Sequence, residues 1–154
     1  MNTPKFEPQN KDFAARTKEN FKKQVIMKTL EVEMTALAAG HVELSFPYLP
    51  NFTQQHGFLH AGTVTTVMDS AAGYAGFTLM GAKDEVLSIE FKANFLNPAI
   101  GERFRVTGDV IKSGRTITVA EAKTFAQKDG EERLVATLMV TLIAARGRGN
   151  LPES

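Results

Sequence analysis

A long apolar run, rich in small residues, spans residues 61–80, and its apolar side chains recur at the spacing of a helix. At about 100° per residue they share one stripe, which comprises Ala61, Val64, Met68, Ala71, Ala72, Ala75 and Leu79. The pattern therefore predicts a helix over the whole run. Asp69 lies at the edge of this stripe, on a flank that also carries Gly62, Gly73 and Gly76. Glycine costs a helix roughly 0.5–1 kcal/mol relative to alanine, so we expect another backbone or a ligand to approach closely on that flank.

Elsewhere apolar and polar residues alternate, which is the period of a strand with one buried face. Two such runs flank Gly40 and predict a hairpin. Four more follow the long helix, over residues 87–95, 103–111, 116–125 and 134–145, with turn-forming pairs between them. In the first of these four runs, the alternation assigns Ile89 and Phe91 to one face and Ser88 to the opposite, polar face.

Six strands joined largely by short turns predict an antiparallel sheet, and the apolar face of that sheet must be covered. The helix over residues 61–80 is the only predicted element that is long and apolar enough to cover it. One helix wrapped by one curved sheet is the hotdog arrangement, an α+β fold. We also expect a short helix over residues 12–27. The pattern predicts a single domain over residues 11–145, with a flexible N-terminal arm at residues 1–10 and a flexible tail at residues 146–154.

The composition excludes several functional classes. The chain has 154 residues, of which 43% are apolar and 23% are charged, as in ordinary globular domains. A net charge of +1 gives no field that would favour nucleic acid or a membrane surface. The absence of cysteine excludes disulfides, thiolate metal ligands and a cysteine nucleophile. Because there is no secretory signal and no stretch of about 18 apolar residues, we expect a cytoplasmic protein with no membrane partner.

The start of the long helix carries a motif. Gly57 precedes His60 by three residues, His60-Ala61-Gly62 follows, and Asp69 lies nine residues after His60. This arrangement resembles the G-x-x-H-G-G…D signature of hotdog-fold acyl-CoA thioesterases, and most closely the PaaI-like, 4-hydroxybenzoyl-CoA thioesterase-related group. The resemblance extends over residues 30–145, including the strand and Pro-Ala pair of residues 88–99 and a later Gly-Arg turn. One departure is Ala61, which stands where the family often has glycine.

The resemblance implies roles for further residues. Gln54 stands where the family carries Asn or Gln, and it is favoured over its neighbour Gln55 for contact with the substrate carbonyl or the neighbouring carboxylate. Ser88 would orient Asp69 or the attacking water, although a serine on the wet side of a strand has an equally ordinary structural explanation. His60 is expected to fix the loop through hydrogen bonds rather than to act as a base.

The residues also indicate how a thioester can be hydrolysed. The first turn of a helix presents N–H groups without intrahelical partners, so the amides of Ala61 and Gly62 can hold a developing oxyanion. Asp69 can activate water or attack directly, and the sequence leaves both open. At 1.5 Å per residue, Asp69 lies about 12 Å along the helix from the Ala61 amide. One helix cannot supply both groups to one carbonyl, so we predict a homodimer with two composite sites, with a dimer of dimers as a further expectation.

Coenzyme A would be part of the substrate, and no cofactor is expected. Lys112, Arg115, Arg146 and Arg148 are the candidate partners of its phosphates, with Arg115 best placed at a turn. No phosphate-binding loop of the G-x-x-x-x-G-K type is present. A metal site is not expected, because the two histidines before the long helix bracket a glycine in a loop and belong to no H-E-x-x-H motif.

The leading hypothesis is hydrolysis of a small acyl-, aryl- or phenylacetyl-type CoA thioester, and two other functions are considered. A hotdog dehydratase or hydratase also acts on acyl thioesters, but such sites usually pair a histidine with the acid, and the predicted helix contains none. A non-catalytic acyl-CoA sensor would be expected to carry a DNA-binding or second regulatory domain as well, and the 154 residues leave no room for one.

Overall fold

The computed structural model describes residues 6–148. The helices are α1 (Phe13–Lys23), α2 (Val25–Thr29) and α3 (Ala61–Phe77). The strands are β1 (Glu33–Ala38), β2 (His41–Pro47), β3 (Glu85–Phe95), β4 (Arg103–Ser113), β5 (Ile117–Lys128) and β6 (Glu131–Ala145). A single 3-10 turn, Pro50–Phe52, lies in the loop that leads into α3.

The strands form one antiparallel sheet in the order β1-β2-β4-β5-β6-β3, and α3 packs along its inner face. Alternate residues of each central strand are buried against the helix, among them Val42, Leu44 and Phe46 of β2. Phe46 stacks on Phe104 of β4, with ring centroids 5.2 Å apart. Burial of a side chain of this size is worth roughly 1.5–3 kcal/mol. The predicted hotdog fold, with one long helix wrapped by six antiparallel strands, is confirmed.

Helix α3 and the sheet come into backbone contact at Gly108 of β4. A β-carbon added to Gly108 would lie 2.2 Å from the carbonyl oxygen of Ala71, so any larger residue must displace one of the two backbones. On the helix, Ala71, Ala72 and Ala75 are fully buried. The small side chains of α3 therefore let the curved sheet wrap tightly around it.

The three glycines on the Asp69 flank of α3 meet different surroundings. A β-carbon at Gly76 would lie 2.6 Å from the Leu142 side chain, and one at Gly62 would lie 3.0 Å from Nδ1 of His60. At Gly73, no atom within residues 6–148 lies within 4 Å of the corresponding position, apart from its chain neighbours and the adjacent backbone of α3. Close approach therefore occurs at two of the three glycines, through side chains rather than backbone, and open space remains beside the third.

Two predicted helices have different bounds in the structure. α3 ends at Phe77, three residues before the predicted end, because the Thr78 hydroxyl donates to the Ala75 carbonyl oxygen at 2.6 Å and the following residues form turns. The predicted helix over residues 12–27 is interrupted at Gln24. The extended backbone of Gln24, with φ −76° and ψ 99°, separates α1 from α2.

Strand β3 lies at one edge of the sheet, and within the described chain it pairs with β6 alone. A bulge at Ile89 shifts the register, so that Ser88 stands opposite Leu142 and Phe91 stands opposite Val140. Leu142 and Val140 are both buried against α3, and directly opposed residues share a face. Ser88 and Phe91 therefore lie on the same inner face. The strict alternation predicted from the sequence is wrong here, because a bulge adds one residue to the strand.

The predicted arm and tail fall partly outside the described residues. Within residues 6–10, the Phe6 ring packs over Gly40, and the Gln9 amide donates to a carbonyl oxygen beyond α3 at 3.3 Å. Within residues 146–148, the Gly147 amide donates to Asp84 Oδ1 at 3.2 Å. These residues lie against the domain because they supply an apolar ring and hydrogen-bond donors to it. The domain boundaries themselves stay a prediction.

We expect Gly108→Ala to lower the free energy of unfolding by about 1–3 kcal/mol, because the added methyl group must displace the backbone of α3. Urea unfolding followed by circular dichroism measures this change. The matched control is Gly73→Ala, whose methyl group meets open space and which should gain about 0.5–1 kcal/mol. Equal stability of the two variants would contradict the backbone contact at Gly108.

Candidate active site

Helix α3 begins at Ala61, and His60 caps its first turn. The Gly62 amide donates to His60 Nδ1 at 2.8 Å, while the amides of Thr63 and Val64 donate to the His60 carbonyl oxygen at 2.9 Å and 3.2 Å. The amides of Gly62 and Thr63 are two that a helix start would otherwise leave without partners, whereas the Val64 bond is the first regular bond of the helix. His60 makes the loop-fixing hydrogen bonds expected of it, and its part in catalysis stays a prediction.

The Ala61 amide makes no hydrogen bond within residues 6–148, so it can still bind a ligand. The sequence pointed to both Ala61 and Gly62 as amide donors. The structure differs at Gly62, because the His60 ring already accepts from that amide. The partial positive charge of the helix start favours negative charge beside the remaining donor.

Gln54 and Ala61 line the same small cavity of about 190 Å³, which we call the amide chamber. The side-chain oxygen of Gln54 accepts a hydrogen bond from the His56 amide. Its Nε2 makes no hydrogen bond within residues 6–148, so two N–H donors without protein partners line this chamber. Gln55 is exposed and does not line it, which supports Gln54 as the contacting amide.

Asp69 lies two turns further along α3, where Ser88 Oγ donates to its Oδ1 at 2.7 Å. Both residues line a second cavity of about 260 Å³, which we call the carboxylate chamber. Gln24, Ser70 and Gly73 also line it. The bulge in β3 brings Ser88 to the inner face, so this contact depends on a local irregularity of the strand.

A groove of about 570 Å³ runs along α3 between the two halves of the site. The helix forms one wall, from Ala61 to Asp69, and two phenylalanines of β3 contribute to the other. About 12 Å of helix separates the Ala61 amide from Asp69. The structure therefore brings Gln54 together with Ala61, and Asp69 together with Ser88. It does not bring the two pairs together within one chain.

The predicted phosphate-binding residues lie elsewhere. Lys112 is exposed near the end of β4, and Arg115 is exposed in the turn before β5. Neither residue lines the groove or the two chambers. The carbonyl oxygen of Arg115 accepts a hydrogen bond from the Arg146 side chain. The assignment of these cations to the phosphates of coenzyme A stays a prediction.

Two amide side chains of α1 and the α1–α2 break, Asn20 and Gln24, were not anticipated from the sequence. The Ser70 hydroxyl donates to Gln24 Oε1 at 2.8 Å, and the Tyr74 hydroxyl donates to Asn20 Oδ1 at 3.0 Å. Burial, with a smaller contribution from Glu85, raises the pKa of Tyr74 to about 12, so this hydroxyl keeps its proton at neutral pH. The i, i+4 spacing of the two amides, matched by that of Ser70 and Tyr74, is the signal that sequence reasoning could have used.

Within residues 6–148, no group of three or more His, Cys, Asp or Glu side chains could hold a metal ion. The two histidines considered as ligands make other contacts, since His60 caps α3 and the His56 amide donates to Gln54. No helix of the described chain is long and apolar enough to cross a membrane.

The fold and the site together define a hotdog thioesterase, in which one central helix carries both an amide donor at its start and a carboxylate two turns later. The model of the thioesterase superfamily matches residues 56–133, and the chain belongs to that family. The expectation of a thioester hydrolase is confirmed at this level.

Similar proteins agree with this assignment. A thioesterase family protein from Silicibacter pomeroyi is 53% identical, with a TM-score of 0.85 and coverage of 86% of this chain and 97% of that chain. A protein of Saccharolobus solfataricus that carries an esterase name is 36% identical over 73% of this chain and 80% of its own length. The PaaI protein of E. coli, from the phenylacetic acid degradation operon, shares the fold at 15% identity, with a TM-score of 0.81 over 90% of this chain and 97% of that chain. The resemblance to PaaI-like hotdog thioesterases is confirmed.

We expect His60→Ala to lower the free energy of unfolding by about 0.5–2 kcal/mol, because the Gly62 amide loses its acceptor. His60→Asn is the matched control, since an asparagine at this position can accept the same hydrogen bond and should recover most of the loss. Chemical unfolding of the two variants measures the difference. A cap of no importance would leave both variants as stable as the parent.

Proposed function

We propose that this protein hydrolyses acyl-CoA thioesters as a homodimer, in which each site combines the amide chamber of one copy with the carboxylate chamber of the other. The observation that carries the proposal is the division of the site along α3. The Ala61 amide, which has no partner in residues 6–148, lies about 12 Å along α3 from Asp69, and the Gln54 side chain lines the same chamber as that amide. Groups that act on one carbonyl must lie within about 3 Å of the reacting atoms. A second copy supplies the missing half to each chain.

Strand β3 is the surface through which we propose that the copies meet. It is an 11-residue edge strand. Its apolar side chains Leu87, Ile89, Phe91 and Phe95 are between 46% and 54% exposed. A long apolar edge is a template for pairing with another chain, and proteins normally cover it. Antiparallel pairing of β3 with its counterpart would continue the sheet and shield these side chains.

The two chambers also suggest a register for this pairing. Ser88 lies beside Asp69, and Phe95 lines the amide chamber with Ala61. Opposed residues must share a face, and Ser88 and Phe95 both lie on the inner face of the sheet. Pairing in which Lys92 stands opposite the partner's Lys92, combined with the bulge at Ile89, sets Ser88 opposite the partner's Phe95. The partner's amide chamber then faces Asp69.

In the proposed reaction, the thioester carbonyl oxygen accepts hydrogen bonds from the Ala61 amide and the Gln54 side-chain amide of one copy. In one route, Asp69 of the other copy removes a proton from a water molecule whose oxygen attacks the carbonyl carbon and becomes part of the acid product. In the other route, Asp69 attacks the carbonyl carbon itself, and water then hydrolyses the resulting mixed anhydride to give the acid and restore the carboxylate. The C–S bond breaks, and the thiolate of coenzyme A leaves and takes up a proton. Ser88 positions the carboxylate through its hydrogen bond to Oδ1.

The acyl-CoA substrate is supported over a dehydratase or hydratase role because α3 carries no histidine beside Asp69. The type of acyl group, the cations that bind coenzyme A, the pairing of dimers and a cytoplasmic location all stay predictions.

We expect Asp69→Ala to lower the rate of thiol release from acyl-CoA by about 10²-fold or more, because one catalytic carboxylate is lost. A thiol-reactive dye measures the release across a panel of acyl-CoAs. The matched control is Asp109→Ala, which removes a carboxylate that contacts His41 at 2.6 Å, outside the groove and both chambers, and should leave turnover near the parent value. Undiminished turnover by a folded Asp69→Ala variant would remove Asp69 from the mechanism.

We expect Lys92→Cys to form a disulfide between two copies under mild oxidation, because the proposed register sets the two Lys92 residues opposite each other. The parent chain has no cysteine, so any covalent dimer on a non-reducing gel reports this one position. Lys128→Cys, exposed at the far end of β5, is the control and should stay monomeric on the gel. Equal cross-linking at both positions, or a fully active monomer in sedimentation, would refute the composite site.

A further inference from the structure

The carboxylate chamber contains a space that the described chain leaves open. Gly73 lies in the interior of α3, where alanine would be the more favourable residue. Apart from its chain neighbours and the adjacent backbone of α3, a β-carbon at Gly73 would meet no atom of residues 6–148 within 4 Å. Packing therefore gives no reason for a glycine at this position, unlike at Gly76, where the Leu142 side chain occupies the space. The space beside Gly73 is available to a group from outside the chain.

Most of the polar groups around this space already have hydrogen-bond partners within the chain. The Tyr74 hydroxyl donates to Asn20, and the Ser70 hydroxyl donates to Gln24 Oε1. Ser88 donates to Asp69. Gln24 Nε2 makes no hydrogen bond within residues 6–148, although its side chain is only partly exposed and lines both the chamber and the groove. The chamber thus offers an amide N–H donor that is held in place through the oxygen of the same side chain.

The size of the chamber limits what can enter. Its volume is about 260 Å³. A closed apolar cavity of about 150 Å³ is enough to bind benzene, so this chamber can hold a group of six carbons and a polar substituent. Val86, on the inner face of β3, gives it an apolar side chain besides the polar groups of Gln24 and Ser70. A wholly apolar occupant would leave the Gln24 donor without a partner, at a cost in free energy.

We propose that the carboxylate chamber holds the acyl group of the substrate and that Gln24 determines specificity for acyl groups that carry an oxygen, with Gly73 providing the space. The inference rests on the proposed thioesterase function and concerns the same site. The Gln24 Nε2–H group donates to a hydroxyl or keto oxygen on the acyl chain. Val86 packs against its carbons, and the thioester carbonyl lies at the mouth of the chamber beside Asp69.

The test compares hexanoyl-CoA with its hydroxylated forms that carry the oxygen on C3, C4, C5 or C6. We expect at least one hydroxylated form to have a higher kcat/KM than hexanoyl-CoA. Gln24→Met should reduce that preference by about 2- to 12-fold, the range that corresponds to one neutral hydrogen bond. Ser70→Ala, which keeps the Gln24 donor and removes its anchor, is the matched comparison and should reduce the preference less than Gln24→Met does.

Three results would overturn the inference. These are the absence of any preference in the parent, a preference unchanged in Gln24→Met, and a preference lost in Ser70→Ala but kept in Gln24→Met. The proposed function fails separately, through a lack of thiol release from every acyl-CoA, including the unsubstituted ones.

Gly73→Ala tests the space itself. The added methyl group should lower kcat/KM for six-carbon acyl-CoAs by about tenfold relative to acetyl-CoA, because a misfit of one carbon in a pocket has an effect of this order. Sedimentation of the same variant shows whether the space is filled by the acyl group or by the partner subunit. An unchanged dimer with altered acyl selectivity supports the inference. A dissociated dimer, or acyl selectivity equal to that of the parent, would assign the space to the partner subunit or to solvent and overturn it.

Discussion

The distance between the start of α3 and its carboxylate is the constraint on which the rest of the site depends. A straight helix fixes the Ala61 amide and Asp69 about 12 Å apart, and no rearrangement of side chains brings a backbone N–H closer to the middle of its own helix. The structure leaves two incomplete half-sites joined by a groove. An exposed apolar edge strand, β3, runs along the same groove. The proposed pairing with a second copy would bring the two half-sites together.

The helix can serve the site only because it lies very close to the sheet. Backbone contact between Gly108 and Ala71 draws α3 into the curve of the strands. From that position Asp69 reaches Ser88 on β3, although the helix and the strand are separate elements. Small side chains contribute less apolar area each than leucine or phenylalanine. The surrounding strands compensate with large buried residues such as Phe46 and Phe104.

Hydrogen bonds at the start of α3 leave one backbone N–H group, that of Ala61, available to a ligand. A helix start normally leaves four N–H groups without intrahelical partners, and a site that left all of them to solvent would bind an oxyanion in several ways. His60 accepts from two of these groups, the amides of Gly62 and Thr63, and its own amide donates to the Phe52 carbonyl oxygen. The Ala61 amide remains, next to the Gln54 side chain. Gln24 is arranged in a similar way. Its side-chain oxygen accepts a hydrogen bond from Ser70, and its side-chain nitrogen has its N–H groups available to the chamber.

The sequence by itself determined the central helix, the six strands and the hotdog class, because hydrophobic periodicity and turn residues are local properties of the chain. It also identified Asp69, Ala61, Gln54 and Ser88 as a group, through spacing and resemblance to a family. It could not determine the strand order, the bulge at Ile89 or the break at Gln24, since each depends on contacts between residues far apart in the chain. Only the tertiary structure decided that Ser88 meets Asp69, that His60 occupies the Gly62 amide, and that Gln24 lines the chamber beside Gly73. The physical reason is that periodicity predicts which face a residue occupies in a regular element, whereas bulges, caps and helix breaks arise where packing overrides that regularity.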